Sequence, residues 1–220
     1  MKKKQTKKVT FKDKIENIYN IVKAFIKKYY YIFLLVLPFI LIDIFTRYKV
    51  EFYGLLKLVP NMFTLLWIFL IMGICLFSKK KIGKTIYILF FILSLIIYLV
   101  NNIYYSMTGV FFDFSMLLLA SEGSEYLIDA IKNCDLSVYL FLIPIFITFI
   151  LAIKVYPKEE HKSYKGIIVT IFIFIVLHSI TPIFLGKANE ELTWSTWRNP
   201  RNIYNSFNDN NKAIKVSGLY

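Results

Sequence analysis

The stretch LSVYLFLIPIFITFILAI, residues 136–153, runs for 18 positions without a charged side chain. A helix rises about 1.5 Å per residue, so crossing a hydrocarbon core of ~30 Å takes roughly 20 mainly apolar residues. The stretch therefore reads as a membrane span. Four others repeat its character: Tyr31–Phe45, Val59–Phe77, Ile86–Val100 (extendable to Tyr105) and Gly166–Leu185. A soluble domain of 220 residues could bury one or two such segments but has no interior for five. The predicted fold is an all-α, polytopic membrane protein, a bundle of five transmembrane helices with interfacial amphipathic helices beside it. Its spans fall near 31–47, 59–78, 85–105, 136–156 and 166–186. A basic amphipathic segment on the cytoplasmic side or interface, 1–30, precedes them, an outer interfacial segment, 106–135, lies between the third and fourth, and an extracellular tether, 187–220, follows the fifth.

The formal net charge of +13 acquires meaning from its distribution. An odd number of spans puts the two ends on opposite sides, and Lys and Arg accumulate on the cytoplasmic one. The amino-terminal tail and the second and fourth connections hold eighteen of them, against nine for the other side. The predicted topology is N-terminus cytoplasmic and C-terminus extracellular, in the cell membrane. The basic tail reads as a polybasic segment attracted to anionic lipid. Phe11, Ile15, Ile18, Tyr19, Val22 and Phe25 recur at helical spacing with lysines between them, as in a helix lying on a membrane surface and running into the first span. No base-stacking module accompanies the charge, so no nucleic-acid partner is expected. Nor does a small-residue cleavage site follow the first apolar run, which is expected to stay as an anchor.

The connections follow the same logic. Ser78–Lys84 is read as a hairpin between the second and third spans, with Gly83 as its flexible point, and Pro157 marks the end of the fourth span. The loop after the third span departs from this pattern. Phe111, Phe112, Phe114 and Met116–Leu119 are too apolar for a solvated loop and too few to span, and Asp113 lies among them. Ser121–Asn133 follows, with Tyr126, Leu127, Ala130 and Ile131 placed on one helical face. The segment reads either as a lid that caps the bundle or as a docking surface for an extracytoplasmic domain or lipid, centred on Phe112, Asp113 and Glu122 with Trp194 and Trp197 from the tether.

Among intramembrane polar residues, Asp43 stands out because a carboxylate in a span is costly. It either reaches the interface or pairs with Arg47 at i+4, or it contacts a lipid headgroup. His178 and Thr181, beside Pro182, suit bonding between helices at a proline. Cys75 and Cys134 have neither zinc spacing nor a common side of the membrane. Catalytic text is missing throughout: there is no phosphate-binding glycine loop, no H-E-x-x-H and no nucleophile elbow. No cofactor is expected in the chain itself.

Residues 204–220, Tyr-Asn-Ser-Phe-Asn-Asp-Asn-Asn-Lys-Ala-Ile-Lys-Val-Ser-Gly-Leu-Tyr, are similar to the tether that precedes the extracellular enzyme in lipoteichoic acid synthases. Phe112-Asp-Phe-Ser-Met-Leu-Leu-Leu-Ala-Ser-Glu-Gly, ending at Gly123, adds support, as does the order of five spans and outer segment. The chain thus resembles the membrane domain of the sulfatase-superfamily phosphoglycerol transferases of Gram-positive bacteria. The resemblance implies an extracellular catalytic domain with a threonine nucleophile and a divalent metal, usually manganese, acting on phosphatidylglycerol. None of that domain lies within these residues, so no catalytic or metal residue carries over. The chain is expected to be a truncated frame, a membrane-domain fragment or one part of a split gene. The expected function is membrane anchoring and lipid-facing support, with anionic lipid and an extracellular catalytic domain or envelope protein as partners. A small transporter or permease component, or an envelope scaffold, is the alternative.

Overall fold

The computed structural model describes residues 11–50, 57–113, 127–157, 162–189, 198–206 and 210–220. They form α1 (Phe11–Val50), α2 (Leu58–Phe77), α3 (Lys80–Thr108), α4 (Leu127–Lys132), α5 (Leu136–Val155) and α6 (Tyr164–Ile180). A 3-10 turn over Thr181–Leu185 extends α6, and α7 (Pro200–Ser206) and α8 (Asn210–Ser217) follow. No strand occurs among the described residues. Five of the helical segments are long and apolar enough to cross a membrane: Lys27–Tyr48, Leu58–Phe77, Lys80–Thr108, Leu136–Val155 and Tyr164–Leu185. The protein is a five-span membrane protein. Spans of this kind are helical because each backbone N–H and C=O must be satisfied within its own segment once water is gone.

Three helices carry the centre. α1 packs against α5 and α3, α2 packs against α3 and α6, and α6 touches the rest mainly through α2. Leu35, Phe39, Ile42, Ile68, Tyr87, Phe91, Tyr98, Val138 and Ile145 are buried in the middle. The opposite faces of α5 and α6 expose Leu140, Ile143, Ile147, Ile150, Ile168, Phe172 and Ile175. In lipid such outward apolar faces are solvated, and the association of the helices comes from packing and hydrogen bonds instead.

Tyrosines supply many of those bonds. The Tyr87 hydroxyl donates to the Leu35 carbonyl across α3 and α1 at 2.9 Å, and Tyr98 donates to Val138 across α3 and α5 at 3.0 Å. Tyr156, just past α5, donates to the Cys75 carbonyl of α2 at 3.0 Å. Aromatic pairs fill the space between, with Phe91 stacked on Phe149 and Phe45 on Phe141. The aromatic content of the chain thus serves helix contacts, because one ring gives both area and a polar tip.

One expectation changes here. Gly83 is not a flexible point in a hairpin, for α3 already begins at Lys80 and Gly83 is buried within it. A Cβ placed there would overlap the Cys75 carbonyl oxygen, so the missing side chain lets α3 approach α2. α7 and α8 fold back on the bundle at the end where α1 and α3 finish, hereafter the C-terminal face, and α8 packs on α2 and α1. In the outer segment α4 forms as a helix, with Ala130 buried and Ile128 and Ile131 exposed.

Candidate functional site

The C-terminal face gathers most of the buried polar chemistry among the described residues. Asp43 and Arg47 lie one turn apart on α1 and are 1% and 3% exposed, which makes this a buried ion pair rather than an interfacial one. The guanidinium donates to the Asp43 carboxylate through Nε at 3.0 Å and through Nη2 at 2.5 Å, and Nη2 also donates to Asn61 of α2. Desolvating two charges is expensive, and only such close, multiply bonded geometry offsets it. Behind the pair, Asn102 of α3 donates to the Tyr98 carbonyl at 2.7 Å and to the Thr46 hydroxyl at 3.3 Å.

The free oxygen of Asp43 receives a partner from far along the chain. The Leu219 N–H donates to Asp43 Oδ1 at 2.9 Å. Next to it Gly218 adopts φ +79, a left-handed conformation that favours glycine. A Cβ at that glycine would stand 2.6 Å from Thr64 Oγ1 and 3.0 Å from the Pro60 carbonyl oxygen, so the backbone itself fits against α2. Tyr220 then reaches between the helices, its hydroxyl donating to the Phe39 carbonyl at 3.2 Å and its ring set edge-on to Phe39. Burial raises the Tyr220 phenol pKa, with the Ser94 hydrogen bond opposing and the nearby Asp43 carboxylate adding to the rise, so the group stays a neutral donor. Residues 218–220 thus occupy a socket made by α1, α2 and α3.

Beside the socket lies a groove of about 740 Å³. Lys57, Leu58, Val59 and Pro60 at the start of α2 form one wall, and Phe184 and Leu185 of the 3-10 turn form the floor. Arg198, Pro200 and Ile203 come from the α7 region, and Lys212, Lys215 and Val216 from α8. Four of these described lining residues are cations. The two lysines of α8 reach the groove because α8 turns Ala213 and Val216 into the bundle, which leaves Lys212 and Lys215, three apart, on a neighbouring stripe. The first turn of α2 has no side-chain cap and no acidic residue, so its N–H groups and dipole add to the positive field.

The other residues singled out from sequence are placed as follows. The Phe112 carbonyl and the Asp113 carboxylate both accept from Asn210 Nδ2, at 3.0 and 3.1 Å, so this part of the expected docking surface binds the chain's own α8. Asn211 reinforces the join by accepting from the Phe111 N–H at 2.7 Å. Glu122, Trp194 and Trp197 lie outside the described residues. His178 sits among the rings of Phe63, Trp67 and Phe174. Thr181 donates to the Leu177 carbonyl of its own helix at 2.8 Å, not across helices as expected, because a threonine in a helix reaches the carbonyl four residues back.

Cys75 and Cys134 are both free. The divalent metal that the resemblance implies finds no donor set here: among the described residues no three His, Cys, Asp or Glu side chains come together. The groove cations Lys57, Arg198, Lys212 and Lys215 do not stand out in the sequence, where they count only toward the charge on the side poorer in Lys and Arg. The one signal available in the sequence is their share of the nine cations on the side poorer in Lys and Arg. No family model matches the chain, and neither a curated protein nor a solved structure matches it.

Proposed function

We propose that this chain is the membrane-anchoring, lipid-facing domain of a phosphoglycerol transferase resembling the lipoteichoic acid synthases, not catalytic by itself, which holds an anionic phospholipid by its headgroup. The observation that carries this reading is the groove at the C-terminal face, four cations set over an apolar floor. Its depth supports a lipid over a free anion. The groove opens where the apolar run of α2 begins, which is the level of lipid phosphates, and Leu58, Val59, Phe184 and Leu185 offer acyl chains a surface. A cation near such a headgroup contributes about 1 kcal/mol, so several acting together discriminate phosphatidylglycerol from a zwitterionic lipid. In this reading the C-terminal face is extracellular, and the eighteen cations of the other side lie in the cytoplasm.

Competition between phosphatidylglycerol and phosphatidylcholine, read by native mass spectrometry of the protein from mixed-lipid nanodiscs, tests the reading. The wild type should retain phosphatidylglycerol preferentially. Lys212→Gln with Lys215→Gln should lower that preference on the order of tenfold to thirtyfold, at about 1 kcal/mol for each charge removed. Equal retention of both lipids by the wild type would sink the proposal. The orientation has its own check. A reporter that is active only outside the cytoplasm, fused after Tyr220, should be active, and a silent but stably made fusion would reverse the topology.

A further inference from the structure

Resting on the lipid reading above, we propose that Asp43 is a positioning residue for the cationic groove, acting at a distance through the docked segment Gly218–Tyr220. Asp43 lies on α1, does not line the groove, and is 1% exposed. Its carboxylate nevertheless holds the Leu219 N–H at 2.9 Å, and Leu219 lies two residues past the end of α8, the helix that brings Lys212 and Lys215 to the groove. Two further points fasten the same segment: the glycine that fits against Thr64 and Pro60, and the Tyr220 hydroxyl bonded to Phe39.

α8 has eight residues, too short to hold a helical position without tertiary contacts. Its other end is tied by Asn210 and Asn211 to residues 109–113. Releasing the Asp43 end leaves α8 hinged at Asn210, so that both lysines move away from the headgroup site with it. The coupling is reciprocal. A headgroup that binds Lys212 and Lys215 only when α8 is docked must itself favour docking, by the same factor that docking favours binding. The socket thereby sets the selectivity for anionic lipid without touching it.

Leu219→Pro tests this, since it deletes the N–H that Asp43 accepts and changes no charge. Two readouts are taken on the full chain in nanodiscs: hydrogen exchange over residues 210–217, and the retention ratio of phosphatidylglycerol to phosphatidylcholine. In the wild type, exchange over 210–217 should slow when phosphatidylcholine is replaced by phosphatidylglycerol. In Leu219→Pro it should be faster and indifferent to the lipid, and the retention ratio should fall to about that of Lys212→Gln with Lys215→Gln, on the order of tenfold or more.

Gly218→Ala, whose methyl meets Thr64 Oγ1, should act in the same direction, and Thr64→Ala in that background should recover part of the lipid ratio. This pair keeps the test decisive if the proline variant does not fold. A wild-type preference that the lysine variants lose but Leu219→Pro and Gly218→Ala both keep would overturn the positioning role and leave the lipid site standing. Unchanged exchange over 210–217 in those variants would overturn it as well. A wild type without lipid preference would overturn both the site and its positioning, even where exchange shows that α8 is docked.

Discussion

Replacing Asp43 by alanine while Arg47 is kept should lower the unfolding free energy by about 3–5 kcal/mol, the cost of leaving a buried charge without its partner. Arg47 is 3% exposed and its guanidinium meets the Asp43 carboxylate through two nitrogens, so removing the acid takes the carboxylate of the ion pair away from a buried cation that also donates to Asn61. The substitution also removes the acceptor for the Leu219 N–H. The effect should be read by denaturant or steric-trapping unfolding of the purified protein in one detergent.

The informative control is the double variant, Asp43→Leu with Arg47→Met. It removes both charges and keeps apolar volume, and it should recover most of the loss, because a buried ion pair exchanged for packed hydrophobic residues is often neutral or better. A single variant as stable as the wild type would mean that Arg47 reaches water. In that case the pair would be an interfacial one, the geometry that the sequence alone allowed.

The second large effect falls on Gly83. Any side chain there collides with the Cys75 carbonyl, a backbone group that moves only if α2 moves, and with the Tyr156 hydroxyl, 2.8 Å from the added Cβ. Gly83→Val should therefore destabilise by about 1–3 kcal/mol or more through overpacking, and it should separate α2 from α3 at the face opposite the C terminus. Tyr156→Phe is the natural comparison, for it removes the hydrogen bond to the same carbonyl without adding bulk. That change should cost no more than about 0.5–1.5 kcal/mol. Equal effects from the two would show that the hydrogen bond, and not the close approach, governs this contact. Crosslinking of cysteines placed on α2 and α3 would follow the separation directly.

Gly83 also marks where sequence reasoning stops. A glycine six residues from one apolar run and three from the next reads as a turn, because turns are where glycine is commonest. The chain resumes its helix at Lys80, and the glycine serves an approach between helices that only the packed bundle reveals. Asp43 and Arg47 behaved differently. Their i+4 spacing within one helix made the pair legible, since helical geometry alone brings such side chains together. Its burial was not legible, because burial depends on α2 and on the far end of the chain.

The groove was the least legible feature. Its cations stand at positions 57, 198, 212 and 215, and no local pattern joins the first of these to the others. Phe112 and Asp113 showed the converse. An apolar-acidic stretch that suggested a docking surface meets the chain's own Asn210. Whether a surface is open to a partner depends on which other segment reaches it first.

What the sequence by itself determined is the membrane-spanning architecture. Lipid leaves an unpaired backbone group so costly that a run of about 20 apolar residues has essentially one stable form, so local composition was sufficient to place five spans. What only the tertiary structure decided is the use made of the ends. Residues 43 and 219 meet across 176 positions of chain, and α8 is held in place by contacts it makes with other elements. Such contacts arise from the relative placement of packed helices, which hydrophobic patterning leaves open because every apolar face is equally welcome in a bilayer.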